Sequence, residues 1–351
     1  MSDISQIDQN FHVATQIQRE GLVFRDAETA PFRIYGVMRE QDHFCRMPDS
    51  VASVVNEGVE RLALHTAGGR VRFMTDSPYI AIHAEMAELG KMPHFPLTGS
   101  IGFDLYTGAG DGQQYIGTFI PPYDIQDGYE SVLDLREGGM KLVTINFPLY
   151  SNVKKLYIGL HQAAALDRAP DYRQELPVVY YGSSITQGGC ASRPGNAYQA
   201  IISRRMDANF INLGFSGSAR GEQPMVDFLA GLDMSVFVLD YDHNAPTPEH
   251  LAATHEHLFQ TVRAAHPELP IVMMTRPKVH LNDEEKRRLA IVRQTYDHAV
   301  AAGDTHVYMI PGYELIEPDV IEVATVDNAH PNDAGFLSMA NRLQAVLEQI
   351  E

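Results

Sequence analysis

The chain has 351 residues, 44% hydrophobic and 21% charged, the proportions of a folded enzyme with room for two cores. Its formal net charge is −18, from 45 acids against 27 bases, which repels phosphate backbones and anionic lipid surfaces and sets nucleic acid and membrane aside as partners. Two distant cysteines, Cys45 and Cys190, make no disulfide framework, so a reducing compartment is the simpler expectation.

The start, Met1 to Arg25, is polar and lacks the apolar segment of a secretory signal. No run approaches the roughly 18 uninterrupted apolar residues of a membrane span. A cytoplasmic location follows by default, and the chain is compatible with a monomer or a homo-oligomer alike.

Up to about residue 172, short alternating or β-branched runs sit between Gly, Pro and Asp punctuation. They are 70–74 (RVRFM), 79–84 (YIAIHA), 114–120 (QYIGTFI), 141–147 (KLVTINF) and 155–160 (KLYIGL). Period-two alternation buries one face of each strand, and several such strands predict an antiparallel β-sandwich. The polar stretch Ala163 to Glu175 reads as the linker. From 173 to 351 the pattern changes to continuous apolar strands at 178–181, 210–213, 236–239, 271–274 and 307–310. Between them lie helical stretches near 197–206, 222–231, 248–265 and 283–301, and a last helix runs from Asp333 with Asn332 as its N-cap. Such alternation predicts a parallel sheet covered on both faces, with its site at the C-terminal ends of the strands.

Four motifs fall at those strand ends. The first strand runs into Gly182-Ser183-Ser184-Ile185-Thr186, where glycine permits a sharp exit and lifts a serine onto the sheet edge. Taken alone this reads as a turn and helix cap, and it is not the Gly-x-Ser-x-Gly elbow of the α/β-hydrolases. Gly214-Phe215-Ser216-Gly217 follows the second strand, and Asp240-Tyr241-Asp242-His243-Asn244-Ala245 the third. Gly217 could bring a backbone N–H to a substrate oxygen and Asn244 its amide, although each also suits a plain turn. Near the end, Asp327-Asn328-Ala329-His330 sets an acid three residues before a histidine, close enough to orient the imidazole as a base.

In this order the motifs resemble the SGNH (GDSL-like) hydrolase superfamily, whose blocks carry a serine, a glycine, an asparagine and a histidine. The resemblance covers roughly the last half of the chain. It implies a three-layer α/β/α, flavodoxin-like hydrolase domain, with Ser184 as nucleophile and His330 as base oriented by Asp327. The N–H groups of Ser184 and Gly217 and the Asn244 amide are then the oxyanion donors. Gly-Asp-Ser of the usual first block falls on Gly182-Ser183-Ser184 and selects Ser184 over Ser183. The sequence departs from the pattern at Ser183, where aspartate is common, at Asp242 and Ala245 around Asn244, and at Asn328, where glycine is frequent. Gly102-Phe103-Asp104-Leu105-Tyr106 resembles the Gly-x-Asp-Leu-Tyr signature of a β-domain fused to some SGNH esterases. Without that resemblance, Asp104 and Tyr106 read as strand and turn residues.

Other candidates read as structural. His250, His255 and His257 are spaced poorly for one helix face, so a solvated face is expected in place of a metal site. His243 adjoins Asn244 and lines the site at most. Cys190 has no acid–histidine pair of its own and reads as a small buried residue. The apolar loop Lys91 to Leu97 is expected to drape over the hydrolase half or to pack between the halves.

Together these readings imply an esterase that removes small acyl groups, acetyl above all, from a saccharide through an acyl-enzyme, with neither cofactor nor metal. An acyltransferase with the same residues, and a non-catalytic sugar-binding protein on a decayed hydrolase fold, are the alternatives.

Overall fold

The computed structural model describes residues 16–135 and 138–350. The first fifteen residues of the polar stretch Met1 to Arg25, on which the absence of a signal was read, lie outside the described residues.

Two antiparallel sheets occupy the first half. One has the spatial order Leu22–Asp26, Val153–His161, Tyr79–Met86, Gly128–Asp134. The other runs Leu166–Asp167, Arg70–Thr75, Lys141–Asn146, Phe103–Thr107, Gln114–Phe119, and Arg33–Tyr35 also pairs with Arg70–Thr75. Alternate residues enter one core between the sheets. Ile80, Ile82 and Ala84 face Val71, Phe73, Phe103, Leu105, Val143 and Ile145. All five strands expected in this half are present. Leu22–Asp26 and Gly128–Asp134, which the pattern did not single out, are the edges of the first sheet and are mostly half-buried, so their alternation is weak.

The second half holds five parallel strands: Gln174–Gly182, Ala208–Gly214, Val236–Asp240, Ile271–Met274 and Val307–Ile310. In space the second strand lies outside the first, and the third, fourth and fifth follow on the other side. Val178 and Tyr180 point to the face covered by Tyr198–Met206 and Asp333–Ile350. Val179 and Tyr181 point to the face covered by Gln223–Ala230, Pro248–Ala265 and Asp283–Ala301. Burial on both faces is why these strands read as continuous apolar runs. The Asn332 side chain accepts from the N–H groups of Ala334 and Gly335 and so starts the last helix.

The halves are joined by more than the chain between them. Helices Asp49–Val55 and Glu57–Ala63 place Ala52, Val59 and Leu62 in the core beneath the parallel sheet. Each has only seven residues, too short for a periodic signal. The expected linker is itself tied down, since Leu166–Asp167 pairs with Arg70–Thr75. Among the described residues, no helix is long and apolar enough to cross a membrane.

Candidate active site

The first parallel strand ends at Gly182, where a Cβ would meet the Asp240 carbonyl at 2.1 Å and Thr186 Oγ1 at 2.3 Å. Only glycine lets the first and third strands approach this closely as the chain turns. Ser183 then caps a short helix, Ser184–Gln187, its Oγ accepting from the Ile185 N–H at 3.1 Å. That cap gives the Ser183 hydroxyl a structural use. Ser184 begins the helix, so its backbone N–H is one of those a helix leaves without an internal partner. A carbonyl oxygen developing charge there also meets the positive end of the peptide dipoles.

His330 arrives from beyond the fifth strand. Its Nε2 lies 3.0 Å from Ser184 Oγ, and its Nδ1 lies 2.8 Å from Asp327 Oδ2. Asp327 Oδ1 accepts the backbone N–H groups of His330 at 2.7 Å and Ala329 at 3.0 Å. Burial pushes the Asp327 carboxyl up, but these N–H groups and the imidazole outweigh it and hold the group below the usual carboxylate range. The turn closes with the Val326 N–H on the His330 carbonyl, and Asn328 sits at its tip with φ +64°. Asparagine tolerates that left-handed conformation, which accounts for its standing where glycine is frequent.

Gly217 has φ +67°, and a Cβ built on it would meet nothing within 4 Å. The glycine therefore answers to backbone conformation, beside open space. Asn244 donates one of its two amide hydrogens to the Phe215 carbonyl at 2.9 Å. Arg288 fixes the Asn244 loop by donating to the carbonyls of Asp242 (2.6 Å) and Ala245 (2.9 Å). His243 Nδ1 is held by Asp242 Oδ1 at 3.0 Å.

Several supporting residues carry no local signal. Tyr150 donates its hydroxyl to the Ser184 carbonyl at 3.0 Å, and Gln187 accepts the Ser216 N–H at 3.1 Å. Asp104 is fully buried and accepts from Asn146 Nδ2 (2.8 Å), the Gly195 N–H (2.8 Å) and Arg193 Nη1 (3.0 Å). Arg193 also donates to the Tyr106 hydroxyl. The Asp104-Leu105-Tyr106 signature is thus a clamp on the loop that follows the serine helix. The Lys91–Leu97 segment does lie over the hydrolase half: Phe95 enters its core, and the His94 ring is centred 5.8 Å from that of His330.

Of the residues set aside, Cys190 is buried, and burial, with Asp327 adding to it, pushes its thiol up to about 12. That is far from a thiolate nucleophile. His255 corrects the solvated-face expectation: it is 1% exposed and shares a hydrogen bond with Thr295 Oγ1 at 2.9 Å. His250 meets the Arg220 carbonyl, and His257 is the exposed member. Three groups among the described residues bring ligand atoms within 4.8 Å of one another: His43–Cys45–Asp49, His94–Asp327–His330 and Asp240–Asp242–His243.

Residues 175–348 match the GDSL-like Lipase/Acylhydrolase family, and residues 22–166 match the GxDLY family, described as the N-terminus of Esterase_SGNH_hydro-type. The chain belongs to the SGNH (GDSL-like) hydrolases. It is accordingly a carboxylic ester hydrolase with a GxDLY-type β-sandwich before the SGNH fold. Among solved structures, it is similar to a protein of Bacteroides ovatus described as a GDSL-like lipase, at 28% identity and TM-score 0.84, over 94% of this chain and 98% of the other. A salicylyl-acyltransferase of a tetracycline biosynthetic pathway, SsfX3, shares the fold at 20% identity and TM-score 0.75, over 94% and 99%. So does a family two carbohydrate esterase from Clostridium thermocellum, solved with cellohexaose, at 17% identity and TM-score 0.60, over 81% and 92%. Comparison with curated proteins returns no match.

Proposed function

We propose that this SGNH esterase removes small acyl groups, acetyl above all, from a saccharide, through an acyl-enzyme on Ser184. The observation that carries the reading is the unbroken relay from Ser184 Oγ to His330 Nε2 (3.0 Å) and from His330 Nδ1 to Asp327 (2.8 Å). With Asp327 holding the proton on Nδ1, Nε2 presents a lone pair and takes the serine proton as Oγ attacks the ester carbonyl. The Ser184 and Gly217 N–H groups and the Asn244 amide receive the oxyanion. His330 then protonates the leaving alcohol, and water repeats the sequence on the acyl-enzyme.

The saccharide preference is supported by the fold shared with carbohydrate esterases, including an acetyl xylan esterase of Butyrivibrio proteoclasticus. In this reading the chain divides at residue 172, and the first part shapes the alcohol side of the cleft through the Lys91–Leu97 segment. Hydrolysis of p-nitrophenyl esters of increasing chain length tests the acyl preference. A steep fall beyond acetate supports it, and a rise toward longer chains overturns it. Ser184→Ala is expected to lower kcat by on the order of 10⁶. Transfer to another acceptor uses the same relay with water excluded, and one similar fold belongs to an acyltransferase. Product analysis with and without a polyol acceptor separates the two.

A further inference from the structure

We propose that His94, Asp327 and His330 form an inhibitory site for Zn²⁺ that switches off the relay by capturing the wrong nitrogen of His330; the inference rests on the hydrolase reading above. The three side chains offer ligand atoms within 4.8 Å of one another, two imidazoles and one carboxylate, drawn from the two halves of the chain. His94 and Asp327 are exposed and His330 is half-buried, so an ion reaches them from solvent without opening the core. Two imidazoles with a carboxylate suit zinc and the later first-row divalent ions, whereas magnesium and calcium prefer all-oxygen sets.

The nitrogen of His330 in this group is fixed by its neighbours. Nε2 faces Ser184, so Nδ1, 2.8 Å from Asp327 Oδ2, is the atom that shares space with the carboxylate. A tetrahedral zinc with bonds of about 2.0–2.2 Å holds its ligand atoms about 3.3–3.5 Å apart. The Asp327–Nδ1 pair opens slightly to admit the ion, and the exposed His94 swings in by rotation about its own side chain. Water completes the coordination.

The consequence for the reaction follows from proton bookkeeping. Zinc takes the Nδ1 lone pair, so the proton that Nδ1 carried is displaced. The ring stays neutral by holding one proton on Nε2. Nε2 then donates to Ser184 Oγ and no longer accepts from it, and the serine loses its base. His94 lies outside the Ser184–His330–Asp327 relay. Its effect is to raise zinc affinity at a pair of residues that the reaction already needs.

The test titrates Zn²⁺ into the full-length Ser184→Ala enzyme by calorimetry, because that variant keeps all three ligands and needs no turnover. One equivalent of zinc is expected to bind, and adding His94→Ala should weaken it by at least about tenfold, since losing a ligand costs no less than losing an outer-shell partner. Any further equivalent at His43–Cys45–Asp49 or at Asp240–Asp242–His243 survives in both variants and is removed by subtraction. With Ser184 intact, zinc should suppress p-nitrophenyl acetate hydrolysis at the titrated midpoint and a chelator should restore it. His94→Ala should escape inhibition, read as the ratio of its own turnover with and without zinc. The proposal is overturned if the Ser184→Ala enzyme takes up no zinc sensitive to His94, or if His94→Ala remains as inhibitable as the parent. Failure to hydrolyse any ester would instead remove the hydrolase reading, leaving the calorimetric result to decide on the site.

Discussion

Asp327 grips His330 at two points, Oδ1 on its backbone N–H at 2.7 Å and Oδ2 beside ring Nδ1 at 2.8 Å. One carboxylate therefore sets both the turn and the ring it presents. Asp327→Asn keeps the shape of the turn but offers Nδ1 an amide that can donate, which favours the tautomer with its proton on Nε2. The expected result is a fall in kcat of on the order of 10⁴ on p-nitrophenyl acetate, with the fold unchanged by circular dichroism. A variant within tenfold of the parent would remove Asp327 from the relay.

Asn244 has one of its two amide hydrogens on the Phe215 carbonyl. If the other meets the oxyanion, its contribution belongs to the transition state and not to bound substrate. Asn244→Ala should then lower kcat by roughly 10²–10³ while KM moves little. Steady-state kinetics reads the split directly, and a rise in KM at constant kcat would assign Asn244 to substrate binding instead.

Much of this architecture is legible in the sequence where burial is two-sided or strictly alternating. The parallel strands read as apolar runs because both faces are covered, and the last helix announces itself by its Asn332 cap. Legibility fails where a signal depends on distant partners. Asp104 looks like any strand acid until Arg193 and Gly195, some ninety residues away, are brought to its oxygens. Asp49–Val55 and Glu57–Ala63 belong to the sandwich half in sequence but to the core under the parallel sheet in space, which no local pattern states. His255 misleads when grouped with His250 and His257 by nearness in the chain: its own i±3 and i±4 neighbours, Leu251, Ala252, Leu258 and Phe259, are apolar, and Thr295 on the next helix meets its ring.

The Asp104 clamp can be tested through stability. Asp104→Ala takes from Arg193, the Gly195 N–H and Asn146 their shared acceptor in a buried setting, a loss of about 3–5 kcal/mol for a broken buried pair. Urea unfolding should show that loss as a lower midpoint. Asp104→Asn keeps an acceptor oxygen and should lose less. Because the clamped loop follows the serine helix, esterase activity of Asp104→Ala should fall at temperatures where the protein remains folded. A midpoint within error of the parent would make the clamp energetically idle.

His255 supplies a pH dependence of known sign. Burial holds its imidazole down to about 4, against an ordinary value of 6.5. Between those two values the unfolded chain binds a proton that the folded chain refuses, so stability rises with pH across the window and levels off above about 6.5. At about 1.4 kcal/mol per pH unit the full contribution is about 3 kcal/mol. His255→Gln retains a polar partner for Thr295 but does not titrate. Urea unfolding across that range should therefore give a shallower rise for the variant than for the parent. Parallel curves would mean that His255 ionises in the fold as freely as in the unfolded chain, and that its burial between the helices is incomplete in solution.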